Sequence, residues 1–161
     1  MAKDRVVPLN LGVVPEAAVS GGLLLQSEYS AFFLFNAMRV ESDGRRVEAG
    51  VAVVAFNGPL QTRFGHPNDE ARAGHPVLGR PTDCHEVCEV LDSSWLAEVE
   101  RQNQVSFPEF SYTGVRHFIV SLHDSTLECL ARGMVLEACV DNYEAAVRLA
   151  AKQILSNREH R

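Results

Sequence analysis

The sequence predicts an α+β protein: an antiparallel β-meander sheet with a short middle helix and a C-terminal helix. A β-sandwich or an open barrel with appended helices is the alternative. Three observations lead there. Two apolar runs flank an Asp-Gly turn early in the chain. A second strand pair closes around His-Asp-Ser-Thr. The only long helical periodicity comes last, so strands precede helices rather than alternating with them.

Asp43-Gly44 stands between YSAFFLFNAMRV and VEAGVAVVAF and predicts a two-residue type I′ hairpin. Paired positions would place Val40 opposite Val47, Leu34 opposite Val53 and Phe32 opposite Ala55. Both strands are apolar on both faces, which places them centrally with cover on each side. Asn57-Gly58 predicts a second tight turn into PLQTRF, whose Pro59 marks the return strand as short or at an edge. The region from about 23 to 64 therefore reads as a meander, preceded by a strand from RVVPLNL or GLLLQ.

CHEVCEVL (84–91) reads as a strand. DSSWLAEVERQNQ offers Asp92 or Ser93 as a cap and places Trp95, Leu96 and Val99 on one helical face, predicting a helix over 94–103. QVSFPEFSYTG reads as loop. VRHFIVSL and TLECLARG form a hairpin, and MVLEACV continues the sheet. Asp141 as N-cap with Glu144 predicts a capping box. Tyr143, Val147, Ala150, Ala151 and Ile154 carry the helix to about residue 157.

With 161 residues, 46% hydrophobic and 22% charged, the chain fits one domain with a core of its own. A net charge of −6 with scattered basic residues argues against nucleic acid. The longest apolar run, AFFLFNAM, falls well short of the roughly 20 residues a membrane helix needs. Four cysteines, Cys84, Cys88, Cys129 and Cys139, read as free and mostly buried thiols in a reducing cytosol. No repeat, nucleotide glycine loop or signal-type leader is found.

Two stretches concentrate chemistry. FGHPNDEARAGHP carries Gly-His-Pro twice with Asp69-Glu70 between the copies. Local capping explains it without a ligand: Asn68 caps a short helix, the acids sit in its first turn, and Gly74 ends it. Such a helix keeps the Cα atoms of His66 and His75 roughly 10–13 Å apart, the outer limit for sharing a metal. His75, just past the helix, is expected to face inward and to pair with a residue from elsewhere.

RHFIVSLHDSTLECLAR is the second. A pairing that sets Phe118, Val120 and Leu122 against Ala131, Cys129 and Leu127 makes one apolar face with Cys129 as a core thiol. The other face pairs His117 with Arg132, Ser121 with Glu128 and His123 with Thr126. There Glu128 is within diagonal reach of His123, a carboxylate orienting a base. A solvated hairpin end explains the same residues without chemistry.

The order FGHPNDEARAGHPVLG, SSWLAEVERQN, RHFIVSLHDSTLECLA resembles a family of uncharacterised bacterial proteins with no established activity. The resemblance spans roughly residues 64–132 and implies only that residues 64–76 and 116–128 occur together.

Two functional expectations follow. The first is a small cytoplasmic enzyme acting on a small polar metabolite. Its candidate catalytic residues are His123, Glu128, His75, Ser121 and Asp124, and a divalent metal is possible on His75, His123, Asp69 and Glu70. The second is a non-catalytic binding or assembly protein, such as a homodimer built on a sheet edge or the C-terminal helix.

Overall fold

The computed structural model describes residues 4–79 and 84–159; the end of the basic tail, residues 160–161, lies outside them. Among the described residues, ten strands form two five-stranded antiparallel sheets that do not close into a barrel. The long apolar strands β4 (Ala31–Val40) and β5 (Arg46–Asn57) lie side by side at the centre of the first sheet. β10 (Gly133–Val140) flanks β5, while β2 (Val14–Pro15) and β3 (Leu23–Gln26) both pair with the far edge of β4. The second sheet runs β1 (Arg5–Pro8), β7 (Val87–Leu91), β8 (Arg116–Ser121), β9 (Thr126–Ala131), β6 (Gln61–Gly65).

Four layers result, each dictated by side-chain alternation. Phe33, Phe35, Val54 and Phe56 meet Phe118, Val120, Leu127 and Cys129 between the sheets. The opposite residues of β4 and β5, among them Phe32, Leu34, Val51 and Val53, pack on Ala146 and Ala150 of α2 (Tyr143–Glu159). The double-sided apolarity of β4 and β5 is thus cover on both faces, as the sequence predicts. On the outer face of the second sheet, Trp95 and Val99 of α1 (Ser94–Gln104) press on Leu130. Beside them Val77, Leu78, Cys84 and Cys88 cover Ile119.

Several expectations are corrected. The Asp43-Gly44 turn is a three-residue loop closed by Glu41 N to Arg45 O (2.8 Å), with Gly44 at φ +82°. Val40 therefore faces Arg46 rather than Val47. A bulge, in which Ala49 and Gly50 oppose Ala37, absorbs the extra residue and restores the predicted pairs Leu34–Val53 and Phe32–Ala55. Asn57-Gly58 makes no hairpin. The chain crosses there to the other sheet, where β6 pairs with β9 at an edge. β9 and β10 cross back beside it at Arg132, whose amide donates to Asn57 O (2.8 Å). The sheet has β3, β4 and β5 as its meander, without β6.

Cys84 and Cys88 are joined in a disulfide rather than free. A bend at His85-Glu86, just before β7, brings their Cα atoms to 6.0 Å, which is what lets residues four apart meet. Cys129 is a buried free thiol, pushed up to about 12 by burial, and Cys139 is half-buried. Ser93, not Asp92, caps α1, accepting from Leu96 N at 3.1 Å. Asn142, not Asp141, caps α2, its Oδ1 accepting from Ala145 N at 3.0 Å. No helix among the described residues is long and apolar enough to cross a membrane.

Gly50 is the residue on which the central hairpin turns. Its φ is +77°, and a Cβ there would lie 2.3 Å from the Val140 carbonyl oxygen. Gly50→Ala is expected to destabilise the protein by about 2 kcal/mol or more, the strain of a left-handed alanine plus a clash with backbone. Urea unfolding monitored at Trp95 measures it; an unchanged midpoint refutes this account of the bulge.

Candidate functional site

The outer face of the second sheet carries the site. β8 and β9 pair two residues out of the predicted register: Phe118 faces Cys129, Val120 faces Leu127 and Ile119 faces Glu128. The hairpin turn is Leu122–Ser125, closed by Leu122 N to Ser125 O (2.8 Å). A slip of two leaves every side chain on its predicted face, because alternation has period two. It changes the neighbours. Glu128 moves away from His123 and comes beside His117.

Glu128 is buried, 9% exposed, and holds two histidines. Its Oε2 lies 2.9 Å from His117 Nε2, and its Oε1 lies 3.6 Å from His75 Nε2. His117 is 1% exposed; its Nδ1 sits 2.9 Å from the Ser93 hydroxyl at the start of α1. The Trp95 ring stands edge-on to the His117 ring at 5.1 Å, and the Arg63 guanidinium lies 4.0 Å over Trp95. Arg63 also approaches Glu128 Oε1 at 4.0 Å.

His75 faces inward as predicted, 5% exposed. The helix before it is a single 3-10 turn, Arg72–Gly74. Asn68 does not cap it: its Oδ1 accepts from Ala71 N at 3.0 Å in the turn before the helix, whose own N-cap, Ala71, has no side-chain cap, and Pro76 follows too closely for a full α-helix. His75 instead folds its own turn: Nδ1 accepts from Val77 N and Leu78 N, both at 3.1 Å. With Nδ1 used as acceptor, the ring proton is on Nε2, facing Glu128.

Burial pushes the Glu128 carboxyl up, but the hydrogen bond from His117, the nearby His75 N–H and the charge of both rings outweigh it and hold it down at about 2. The carboxylate is ionised throughout the neutral range. Its two oxygens are unequal. Oε2 is committed to His117, while the charged partners of Oε1 among the described residues stand at 3.6 and 4.0 Å, beyond good hydrogen bonds. Beside it opens a pocket of about 210 Å³, lined by Arg63, Phe64, His66, His75, Thr126 and Glu128.

The rest of the predicted set lies elsewhere. His123 pairs with Asp69, Nδ1 to Oδ2 at 2.9 Å, which raises the histidine above its ordinary 6.5 and lowers the aspartate. Asp124 stands 4.0 Å from His123 Nε2 and bonds the Ser20 hydroxyl; Glu70 is exposed. Ser121 lines an 80 Å³ cavity with His123 and Asp69, but its buried hydroxyl has no hydrogen-bond partner. His123 and Ser121 therefore form no nucleophile–base pair.

The two stretches do meet: Asp69 N donates to His123 O (3.2 Å) and Thr126 Oγ1 to Pro67 O (2.9 Å). They meet as two separate sites, however. The expected metal set is divided, His75 going to Glu128 and His123 with Asp69 to the hairpin tip. No group of three or more His, Cys, Asp or Glu among the described residues is arranged to hold a metal ion.

His117, Ser93 and Arg63 were missed as site residues. Parity alone puts His117 and Glu128 on one face, so the hairpin register was the missing information. Compared with known proteins, the chain matches no family model, no curated protein and no solved structure.

The lowered carboxyl sets a pH dependence. Because Glu128 is more acidic folded than at its ordinary 4.5, its stabilisation is fully present above about 4.5 and is lost as pH falls toward 2. That contribution is about 3 kcal/mol. Glu128→Gln is expected to flatten the stability profile between pH 4.5 and 2, measured by urea unfolding at each pH. A profile as steep as the parent's refutes the pairing.

Proposed function

We propose that this protein is a small enzyme acting on a small polar metabolite bound in the pocket beside Glu128. One observation carries the reading: a buried, ionised carboxylate presents an oxygen that the protein itself leaves loosely met, and that oxygen lines a cavity. A buried charge without close partners is costly, so such an oxygen suits a ligand N–H or O–H. Arg63 on the same wall supplies the opposite charge, which favours a zwitterion whose ammonium meets Glu128 and whose carboxylate meets Arg63. His75 is a fixed N–H donor there, its Nε2 facing the same carboxylate.

Of the pocket expected from residues 64–76 and 116–128, this reading keeps His75 and Glu128; Asp69, Ser121 and His123 line a different cavity. For the cytoplasmic placement, the free thiols Cys129 and Cys139 speak in favour and the Cys84–Cys88 disulfide speaks against.

Free amino acids and their hydroxy-acid analogues, titrated against the labelled protein by NMR, test the reading. Amide shifts at Gly65, His66 and Thr126 are expected for the amino acids, with affinity about ten-fold weaker in Glu128→Gln and Arg63→Gln. No perturbation of those amides by either class sinks it.

A second reading, an assembly protein, has its own support in the segment after α1, where Val105 and Phe107 are 85% and 62% exposed. It predicts a dimer by sedimentation that Phe107→Ser converts to monomer; a monomeric parent removes it.

A further inference from the structure

The pocket beside Thr126 uses one side of the Glu128 network. The other side ends on a hydroxyl. Ser93 caps α1, and capping explains one of its contacts, the bond from Leu96 N. It does not explain the second, to a histidine whose other nitrogen is held by a buried carboxylate.

With the His117 ring neutral, one pattern of protons fits the chain. Leu96 N–H occupies one lone pair of Ser93 Oγ, which leaves the hydroxyl hydrogen to donate. Ionised Glu128 accepts from His117 Nε2–H, which leaves Nδ1 as the acceptor for that hydrogen. Both links measure 2.9 Å. Ser93 and His117 also open onto a cleft of about 480 Å³, the α1 side of the sheet, with Leu91, Leu96, Ala97 and Val115 as apolar walls.

We propose that Ser93, His117 and Glu128 are the nucleophile, base and orienting acid of an acyl-transfer site, and that the cleft takes a neutral carboxylic ester. Arg116, the cation lining that cleft among the described residues, is tied to Glu89 through Nε at 2.7 Å, so the cleft offers no free positive charge to an anionic acyl group.

The steps balance. Ser93 Oγ bonds to the acyl carbon while its hydrogen passes to His117 Nδ1, giving an imidazolium flanked by the Glu128 carboxylate. The bond from the acyl carbon to the alcohol oxygen then breaks, and the alcohol leaves with the Nδ1 proton. Water repeats the sequence: it gives a proton to Nδ1, its oxygen bonds to the acyl carbon, and the bond to Oγ breaks as Oγ recovers the proton. Ester and water become acid and alcohol. Leu96 N–H, donating to Oγ, eases the loss of its proton, and the positive end of α1 favours the negative charge that builds on the former carbonyl oxygen.

The inference shares Glu128 with the function proposed above but concerns a different cleft and a different reader of the charge. The experiment is diisopropyl fluorophosphate labelling of the full chain, mapped by mass spectrometry. The expected result is modification at Ser93. The label should disappear in Ser93→Asn, which keeps a capping oxygen, and slow by about a hundred-fold in His117→Gln. A parent protein unlabelled at Ser93 overturns the inference whatever the variants do, and so does labelling that His117→Gln leaves at full rate. The two proposals fail separately. Loss of amino-acid binding leaves Ser93 labelling intact, and an unreactive Ser93 leaves amino-acid binding intact.

Discussion

Glu128 is a charge that this fold buries and then organises itself around. Taking a carboxylate out of water costs several kcal/mol, and the cost is offset only if hydrogen-bond donors reach it in good geometry. The close donor is His117 of the neighbouring strand, and His75, from the loop that follows β6, faces the other oxygen at 3.6 Å. His117 in turn engages Ser93, the residue that starts α1. One carboxylate thereby fixes the relative positions of a hairpin, a loop and a helix. Removing it would leave two inward-facing imidazoles with nothing to donate to.

The network also explains why an apolar sheet tolerates polar residues on its outer face. Thr126, Glu128 and His117 lie among Ile119, Leu130 and Trp95, and the buried polar atoms of the two histidines have partners. Trp95 both shields the His117 ring and carries the Arg63 guanidinium, so the aromatic surface that excludes water also holds the nearest positive charge. Low dielectric strengthens each of these contacts, and it leaves the loosely met oxygen of Glu128 as the place where a ligand gains most.

Much of the fold was legible because hydrophobic alternation states which face is buried. The central strands, the apolar faces of both helices and the core position of Cys129 follow from it. Partners were less legible. Alternation cannot distinguish a register from one slipped by two, since both bury the same residues, and so Glu128 was matched to His123 instead of His117. Turn residues likewise say that a chain bends and not where it goes: Asn57-Gly58 bends into the opposite sheet, and Asp43-Gly44 sits in a loop one residue longer than its dipeptide implies. The Cys84–Cys88 bond depends on a local path before β7 that a strand reading straightened out. Within the caps, Asn142 outcompetes Asp141 because it is one residue nearer the helix, a difference at the usual margin of boundary reading.

The bulge at Ala49-Gly50 has a bearing on how this chain can vary. It acts as a phase corrector: the tip of the hairpin runs one residue out of step, and beyond the bulge the strands are back in step for the whole apolar stretch that faces both layers. Length changes at the tip and at the bulge are therefore coupled and can cancel. A sequence that shortens the loop by one residue and loses the bulge at the same time would present the same pairs to the core. Such a lineage could drift in length at this hairpin while the sheet beneath, and the site on the far sheet, register nothing.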